Sequence, residues 1–418
     1  MQKKKILIHS LVFSPDGVST AYLYNDIALG FIKYGYDVVV LTSTPHYNLV
    51  KNELERQPLT KRWGGLFYKS NFRGIPVYHV PQKKFKNFPA RVAGFIYWHI
   101  LSFILGLLQR NLSLIISPSP PLTIGLVNII LAKIKRAKVI YNVQEIYPDF
   151  LINQGSLTSG FLLNILHGLE RFVYNYSDKV TTIDDIFYET IIKRFRDPSK
   201  LVVIPNFVDT GIYKPVTDDN VLDKELFPDK PVLKVMYAGN IGHAQDWEPL
   251  LRVAGNLKSL PIEFWVIGEG VVKEAFRKDI EAGKLINIHL LPYQSRERMA
   301  NIVGYADIHF IFMNPQMEGL GFPSKVYTIM ACKKPLLVVS GENTPLYHFL
   351  KNKQCAFLIK EPDIDKKCAE IESVLRTLID DKMSMDSFGQ NGFDIIQKQY
   401  SKKAVIHQYV EVVKNVLK

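Results

Sequence analysis

Cysteine is nearly missing from this chain of 418 residues: only Cys332, Cys355 and Cys368 occur, and their spacings match no zinc or thioredoxin-type pattern. A disulfide scaffold is excluded, and a reducing, cytoplasmic setting fits best. Metal-binding motifs are scarce as well, since the 10 histidines and 40 acids form no His-Glu-x-x-His arrangement. No metal requirement is expected. Low-complexity runs and internal repeats are absent too, which leaves an ordinary folded protein. At the N-terminus, Ile6-Leu7-Ile8-His9-Ser10 follows Lys3-Lys4-Lys5. That apolar run is too short for the core of a signal peptide and reads as a buried first strand.

What is present points to two domains. With 47% apolar residues the chain is too large for one ordinary core. Short apolar runs alternate with helical patterns, as in parallel α/β architecture. Strand candidates in the first half are Lys5 to His9, Val38 to Leu41, Leu114 to Ile116, Val139 to Val143, Val180 to Ile183 and Leu201 to Ile204. A helix with Leu23, Ile27 and Phe31 on one face separates the first two and stops near Gly35. A polar, proline-punctuated stretch follows Pro205, and a second series runs through Lys234 to Ala238, Glu263 to Ile267, Ile308 to Phe312 and Leu336 to Val339. The expected organisation is residues 1–205, residues 206–400, and a closing helix over 401–418 that packs back on the first domain through Val405, Tyr409, Val412, Val413 and Val416.

The segment Glu318-Gly319-Leu320-Gly321-Phe322-Pro323-Ser324-Lys325 precedes a helical pattern. Glycines admit close approach of an anion, the first amides of a helix are free donors, and a lysine there neutralises phosphate. Two more glycine-bearing loops follow strand candidates: Gly239-Asn240-Ile241-Gly242-His243 and Gly268-Glu269-Gly270. In open parallel sheets ligands gather at such carboxyl-end loops. A nucleotide-sugar is the ligand this pattern suggests.

The formal charge of +12 suits an anionic partner, whether nucleic acid, anionic lipid or a phosphorylated small molecule. The basic residues read as dispersed and no nucleic-acid reader motif occurs, so nucleic acid is set aside. Residues 83–109 favour an anionic membrane surface: Lys83, Lys84, Lys86 and Arg91 precede an uncharged, aromatic-rich run from Val92 to Gln109. It barely reaches the length of about 17 to 25 residues that a spanning helix needs. Two readings stand: a helix resting partly in the lipid interface, anchored by Tyr97, Trp98 and the lysines, or a wholly buried core helix.

The chain resembles retaining GT-B glycosyltransferases of family 4, in the bacterial exopolysaccharide and O-antigen branch of N-acetyl-L-fucosamine transferase type. The likeness rests on Phe13-Ser14-Pro15-Asp16-Gly17, Thr44-Pro45-His46-Tyr47, Ser117-Pro118-Ser119-Pro120-Pro121, Gln144-Glu145-Ile146-Tyr147-Pro148-Asp149, Ile204-Pro205-Asn206-Phe207-Val208-Asp209, Tyr237-Ala238-Gly239-Asn240-Ile241-Gly242, Val266-Ile267-Gly268-Glu269-Gly270 and Pro323-Ser324-Lys325-Val326-Tyr327. It implies two Rossmann-like domains facing each other across a cleft, a C-terminal helix crossing back, and no metal or other cofactor. The implied donor is a nucleoside diphosphate sugar, UDP-linked by the resemblance, and the acceptor a lipid-linked saccharide in surface polysaccharide synthesis.

The resemblance also assigns roles. Glu318 matches the first motif glutamate, beside donor sugar and diphosphate. The second glutamate, on the ribose, falls on Val326 or Thr328, neither an acid. Lys325, with His243, replaces the family's usual Arg and Lys as the phosphate contact. Gly239, Asn240, Gly242, Gly268, Gly319, Leu320, Gly321, Phe322 and Ser324 complete the donor-binding set, joined by Gly17, for approach of acceptor or diphosphate or as a plain turn, and by Glu269, at the base or ribose or merely solvated. Glu145 and Asp149, after a first-domain strand, are candidates to orient the acceptor hydroxyl or, alternatively, a helix cap and a solvated acid. His9 reads as a structural histidine or a cleft residue. The rivals are a nucleotide-sugar 2-epimerase and a non-catalytic GT-B scaffold that binds a partner transferase.

Overall fold

The computed structural model describes residues 3–46, 51–82, 87–153, 159–216, 222–316 and 322–418. It divides into two compact units, Met1–Asn206 with Val405–Lys418, and Phe207–Ala404.

The first unit is built on nine strands: β1 (Lys5–His9), β2 (Asp37–Ser43), β3 (Thr60–Arg62), β4 (Phe67–Phe72), β5 (Ile75–Val80), β6 (Leu112–Pro118), β7 (Lys138–Val143), β8 (Lys179–Thr182) and β9 (Leu201–Val203). Their order is β3-β4-β5-β2-β1-β6-β7-β8-β9. Pairing is parallel except between β3, β4 and β5. A central parallel strand covered on both faces must be apolar on both sides. Accordingly Ile6, Leu7 and Ile8 of β1 are all fully buried.

Four principal helices cover this sheet: α1 (Ser19–Lys33), α2 (Phe88–Leu107), α3 (Leu122–Lys135) and α4 (Gly160–Tyr176). In α1 the expected stripe Leu23, Ile27 and Phe31 is buried, and Gly35 follows at φ 88°. The helices α2, α3 and α4 lie side by side. Glycines set their spacing: a Cβ on Gly106 of α2 would come within 2.4 Å of Leu131, and one on Gly125 of α3 within 2.4 Å of Val173. Only 28% of the apolar window in α2 is buried, so this is not a wholly buried core helix. Trp98, expected as an interfacial anchor, is fully buried and stacks on His9 at 5.1 Å. The outward face is carried by Ile96 and Ile100 instead, which are more than half exposed.

The second unit has six parallel strands: β10 (Leu233–Ala238), β11 (Ile262–Ile267), β12 (Ile288–Leu291), β13 (Ile308–Phe312), β14 (Leu336–Val339) and β15 (Ala356–Ile359), in the order β12-β11-β10-β13-β14-β15. The short helix α5 (Lys325–Ala331) buries Val326, Ile329 and Met330 beside β14. The last helix, α6 (Lys402–Val416), begins in this unit, but from Val405 onward it belongs to the first. There Ile406 sits where a Cβ on Gly30 of α1 would be, 2.5 Å away, and Tyr409 and Val413 are buried.

Gly125→Ala is expected to destabilise the first unit by about 1 to 3 kcal/mol, because the new methyl overpacks the α3–α4 contact. The double variant Gly125→Ala/Val173→Ala should recover part of that loss. Urea unfolding of both variants checks it, and an unchanged midpoint for the single variant would show that the helices are free to separate.

Candidate active site

Two loops at the carboxyl ends of β10 and β11 lock into one another. Gly239 N–H donates to Ile267 O at 2.9 Å, and Ile241 N–H to Glu269 O at 2.9 Å. Gly268, at φ 151°, passes so close that a Cβ on it would lie 1.8 Å from Gly239 O, and one on Gly270 would lie 2.0 Å from Ile241 O. These two glycines are therefore required by loop packing, whatever a ligand adds. Trp247 Nε1 donates to Gly242 O at 3.3 Å, and Asn314 Nδ2 to His243 O at 2.9 Å, so the first loop is held from both sides.

Gly239 is different. It stands at φ 151°, and a Cβ there would fall 2.6 Å from the ammonium of Lys325. Two glycine motifs far apart in sequence thus meet through one missing side chain. Lys325 Nζ lies 3.6 Å from the ring centroid of Tyr237, whose hydroxyl donates to Asn240 O at 2.7 Å. A ring face attracts a cation but offers it no counter-charge. Among the described residues no carboxylate pairs with Lys325, and burial pulls its ammonium down to about 7. A cation desolvated in this way gains most from an anion.

Below it lies a pocket of about 230 Å³ lined by Lys325, Gly239, Ser324, Thr328, Tyr213 and His309, among others. His309 is buried, with Nε2 at 2.9 Å from Val303 O; burial lowers its pKa to about 4, so it is neutral. Of the two candidate positions for the missing glutamate, Val326 is fully buried in the core while Thr328 lines the pocket. Thr328 is therefore the site-facing position. Phe322 packs on Tyr327 and Phe349, both ring pairs at 5.1 Å, and so belongs to an aromatic cluster. Asn240 and His243 are exposed. Glu269 is tied to Lys273 at 2.7 Å, which holds its carboxyl below the usual range. Glu318, Gly319, Leu320 and Gly321 lie outside the described residues.

In the first unit the candidates separate in the same way. His9 donates through Nδ1 to Asn128 Oδ1 at 2.7 Å, Asn128 Nδ2 donates on to Ser117 Oγ at 2.8 Å, and burial lowers the histidine to about 4. It is a neutral structural group. Asp149 is not a free acid: its carboxylate meets Arg194 at 2.5 Å, and the same guanidinium holds the buried Glu170. Asp149 is therefore not the solvated acid of its alternative reading. Glu145 has its backbone fixed by Ser119 Oγ, while its half-buried carboxyl is raised by desolvation. Gly17 lies just before α1. Tyr237 and His309 were not among the sequence candidates. The signal for Tyr237 was its place two residues before Gly239; His309, inside a buried strand, gave none.

Two family profiles account for both units: the glycosyl transferase 4-like domain matches residues 21–206, and glycosyl transferases group 1 matches residues 218–393. The chain is a GT-B glycosyltransferase. It is 22% identical over 353 residues to the Escherichia coli (strain K12) protein WcaI, named for glycosyl transfer in colanic acid biosynthesis, covering 82% of this chain and 84% of that one. It is 24% identical over 302 residues to the glycosyltransferase WbjE of Pseudomonas aeruginosa, covering 67% and 69%. In fold it is similar to Anabaena HepE, whose structure was solved with UDP: TM-score 0.72, 15% identity, covering 98% of this chain and all of the other. The glycosyltransferase assignment sets aside the epimerase and scaffold rivals.

Two substitutions separate packing from function here. Gly268→Ala is expected to cost about 3 kcal/mol or more, from the clash with Gly239 O and the glycine-only backbone. Lys325→Met should leave the thermal midpoint at pH 7 unchanged or higher. In the wild type the lowered pKa means that the unfolded chain binds more protons between pH 7 and about 10, so stability should rise with pH across that window and the two proteins should converge. Calorimetric melts at pH 7, 8 and 9 check this; a lower midpoint for Lys325→Met would show a structural partner for the lysine.

Proposed function

We propose that this glycosyltransferase moves a sugar, with retention at the anomeric carbon, from a UDP-sugar to a lipid-linked saccharide in the synthesis of a cell-surface polysaccharide. The observation that carries the reading is Lys325, which among the described residues has no counter-charge and is set against the gap left by Gly239. HepE binding UDP and the polysaccharide role in the name of WcaI support the nucleotide and the product class. The family resemblance adds an N-acetylated deoxyhexosamine as the sugar.

The chemistry asks little covalent help of the protein. As the bond from the anomeric carbon to the diphosphate breaks, negative charge grows on the leaving oxygen, and a preorganised cation there is the largest available stabiliser. Lys325 holds that position, with Thr328 and Ser324 offering hydroxyl contacts to the donor and Glu318 meeting the sugar. On the same face the acceptor oxygen forms the new bond and passes its proton to the departing phosphate. Glu145 orients the acceptor hydroxyl. The acceptor's lipid brings the first unit to the inner face of the cell membrane, where the exposed side of α2 rests in the interface.

Donor binding should restore the charge of Lys325. UDP is therefore expected to be taken up with close to one proton at pH 8.5, and its affinity to weaken by up to about tenfold per pH unit above 7. Lys325→Ala should reduce affinity by about tenfold or more and abolish the proton uptake. Titration calorimetry in buffers of different ionisation enthalpy reads both. A thermal-shift panel of UDP, GDP and CMP tests the nucleotide; stabilisation by GDP alone would overturn UDP, and stabilisation by none would overturn the donor site. Glu145→Gln should slow turnover about tenfold or more with UDP affinity intact, and unchanged turnover would remove it from the acceptor site.

A further inference from the structure

The positive charge of this chain is concentrated, contrary to its expected dispersal. Between Arg56 and Gln144, 89 consecutive residues contain 14 Lys and Arg and not one Asp or Glu. Elsewhere 38 Lys and Arg face all 40 acids, a formal charge of −2. The whole excess therefore sits in one stretch, which builds the edge strands β3 to β5, then α2, β6 and α3 of the first unit. Arg91, Lys133, Arg136 and Lys138 are exposed there.

The same stretch carries outward-facing apolar side chains. On α2, Ile96, Ile100 and Ile104 recur every fourth residue and are 52%, 56% and 39% exposed. On the neighbouring α3, Ile130 and Ile134 repeat the spacing at 45% and 58%. Beyond it, α4 adds Phe161 at 79% and Ile165 at 49%. Since Gly106 and Gly125 let the three helices pack closely, these stripes belong to one layer rather than to three isolated helices. Contiguous apolar surface of this kind on a soluble unit marks an interaction site.

We infer that α2, α3 and α4 together form one docking face for an anionic phospholipid bilayer, with the isoleucines and Phe161 entering the interface and the acid-free basic segment meeting the headgroups. The inference deepens the reading above and rests on its lipid-linked acceptor. The partner follows from two features in combination. A polyanion such as nucleic acid would use the charge and leave the isoleucines in water; a neutral apolar partner would not need 89 residues cleared of acids. Headgroups above hydrocarbon use both. Crossing the bilayer is excluded for α2, although its length suffices. The strands before and after it, β5 and β6, lie in one sheet, and Trp98, Leu101 and Leu105 are locked in the core.

The test is flotation of the full chain with vesicles of phosphatidylcholine, alone or mixed with phosphatidylglycerol, at low and high sodium chloride. Binding to the anionic vesicles, weakened by salt, is expected. The pairs Ile96→Asp/Ile100→Asp on α2 and Phe161→Asp/Ile165→Asp on α4 should each lower vesicle affinity by about tenfold or more. Their thermal midpoints and their stabilisation by UDP should match the wild type. Failure of the wild type to bind either vesicle would overturn the proposal, as would an α4 variant that binds like the wild type. A wild-type dimer in solution that the α4 variant dissociates would assign the face to a second copy and also overturn it. Vesicle binding without any stabilisation by UDP would instead defeat the donor reading and leave the docking face standing.

Discussion

The contact between Lys325 and the space vacated by Gly239 is the constraint around which the second unit is arranged. An ammonium 3.6 Å from the centroid of an aromatic ring is attracted by the ring, yet among the described residues it meets no carboxylate in its desolvated place. Such a group weakens the free protein and strengthens the liganded one, which is how a binding site differs from a salt bridge. The neighbouring interlock has the opposite character. Gly268 and Gly270 exist so that two loops can touch, and what they stabilise is the position of Gly239 itself. One pair of glycines fixes the scaffold, and a third opens it.

The first unit reaches rigidity by another route. Its strand ends are tied by buried polar chains, such as His9 to Asn128 to Ser117, and Tyr24 to Asn142 to Thr181. Each link satisfies a group that would be costly to bury alone. The Arg194 bridge belongs to the same economy: it gathers Asp149 and Glu170, so one carboxylate of the Glu145 to Asp149 loop is structural. Glu145 is left as the loop's acid without that tie, and its raised pKa follows from desolvation alone. Neighbours in sequence thus part company because only one of them can reach the guanidinium.

Periodicity made the parallel core legible. The strand candidates Lys5 to His9, Ile308 to Phe312 and Leu336 to Val339 coincide with β1, β13 and β14, because strands covered on both faces are unbroken apolar runs. The antiparallel edge β3 to β5 and the short outer strands β12 and β15 were not legible. Their residues alternate in burial or are partly exposed; β15, Ala356 to Ile359, is apolar throughout yet only its last residue is buried. At the site, motif order identified Gly239 and Lys325 as participants, but their meeting depends on a turn of backbone at Gly239 that spacing does not encode. The choice between Val326 and Thr328 was likewise a question of which side of α5 the core takes, and the helix answers it by burying Val326 beside β14.

Helix α2 shows why composition alone gave two readings of one segment. A helix apolar on every side is ordinarily buried or in a membrane. Here the sheet takes one side, through Trp98, Leu101 and Leu105, and the isoleucines on the other side have no covering element among the described residues. A core helix would have polar residues at those outward positions, and an ordinary exposed helix would carry acids as well as bases. The segment has neither. Two absences, of polar residues on the outward stripe of α2 and of any acid from Arg56 to Gln144, fall in the same stretch of the same unit. Apolar contact alone would be served by a protein partner, and charge alone by any polyanion; their coincidence is the property a headgroup-covered bilayer selects.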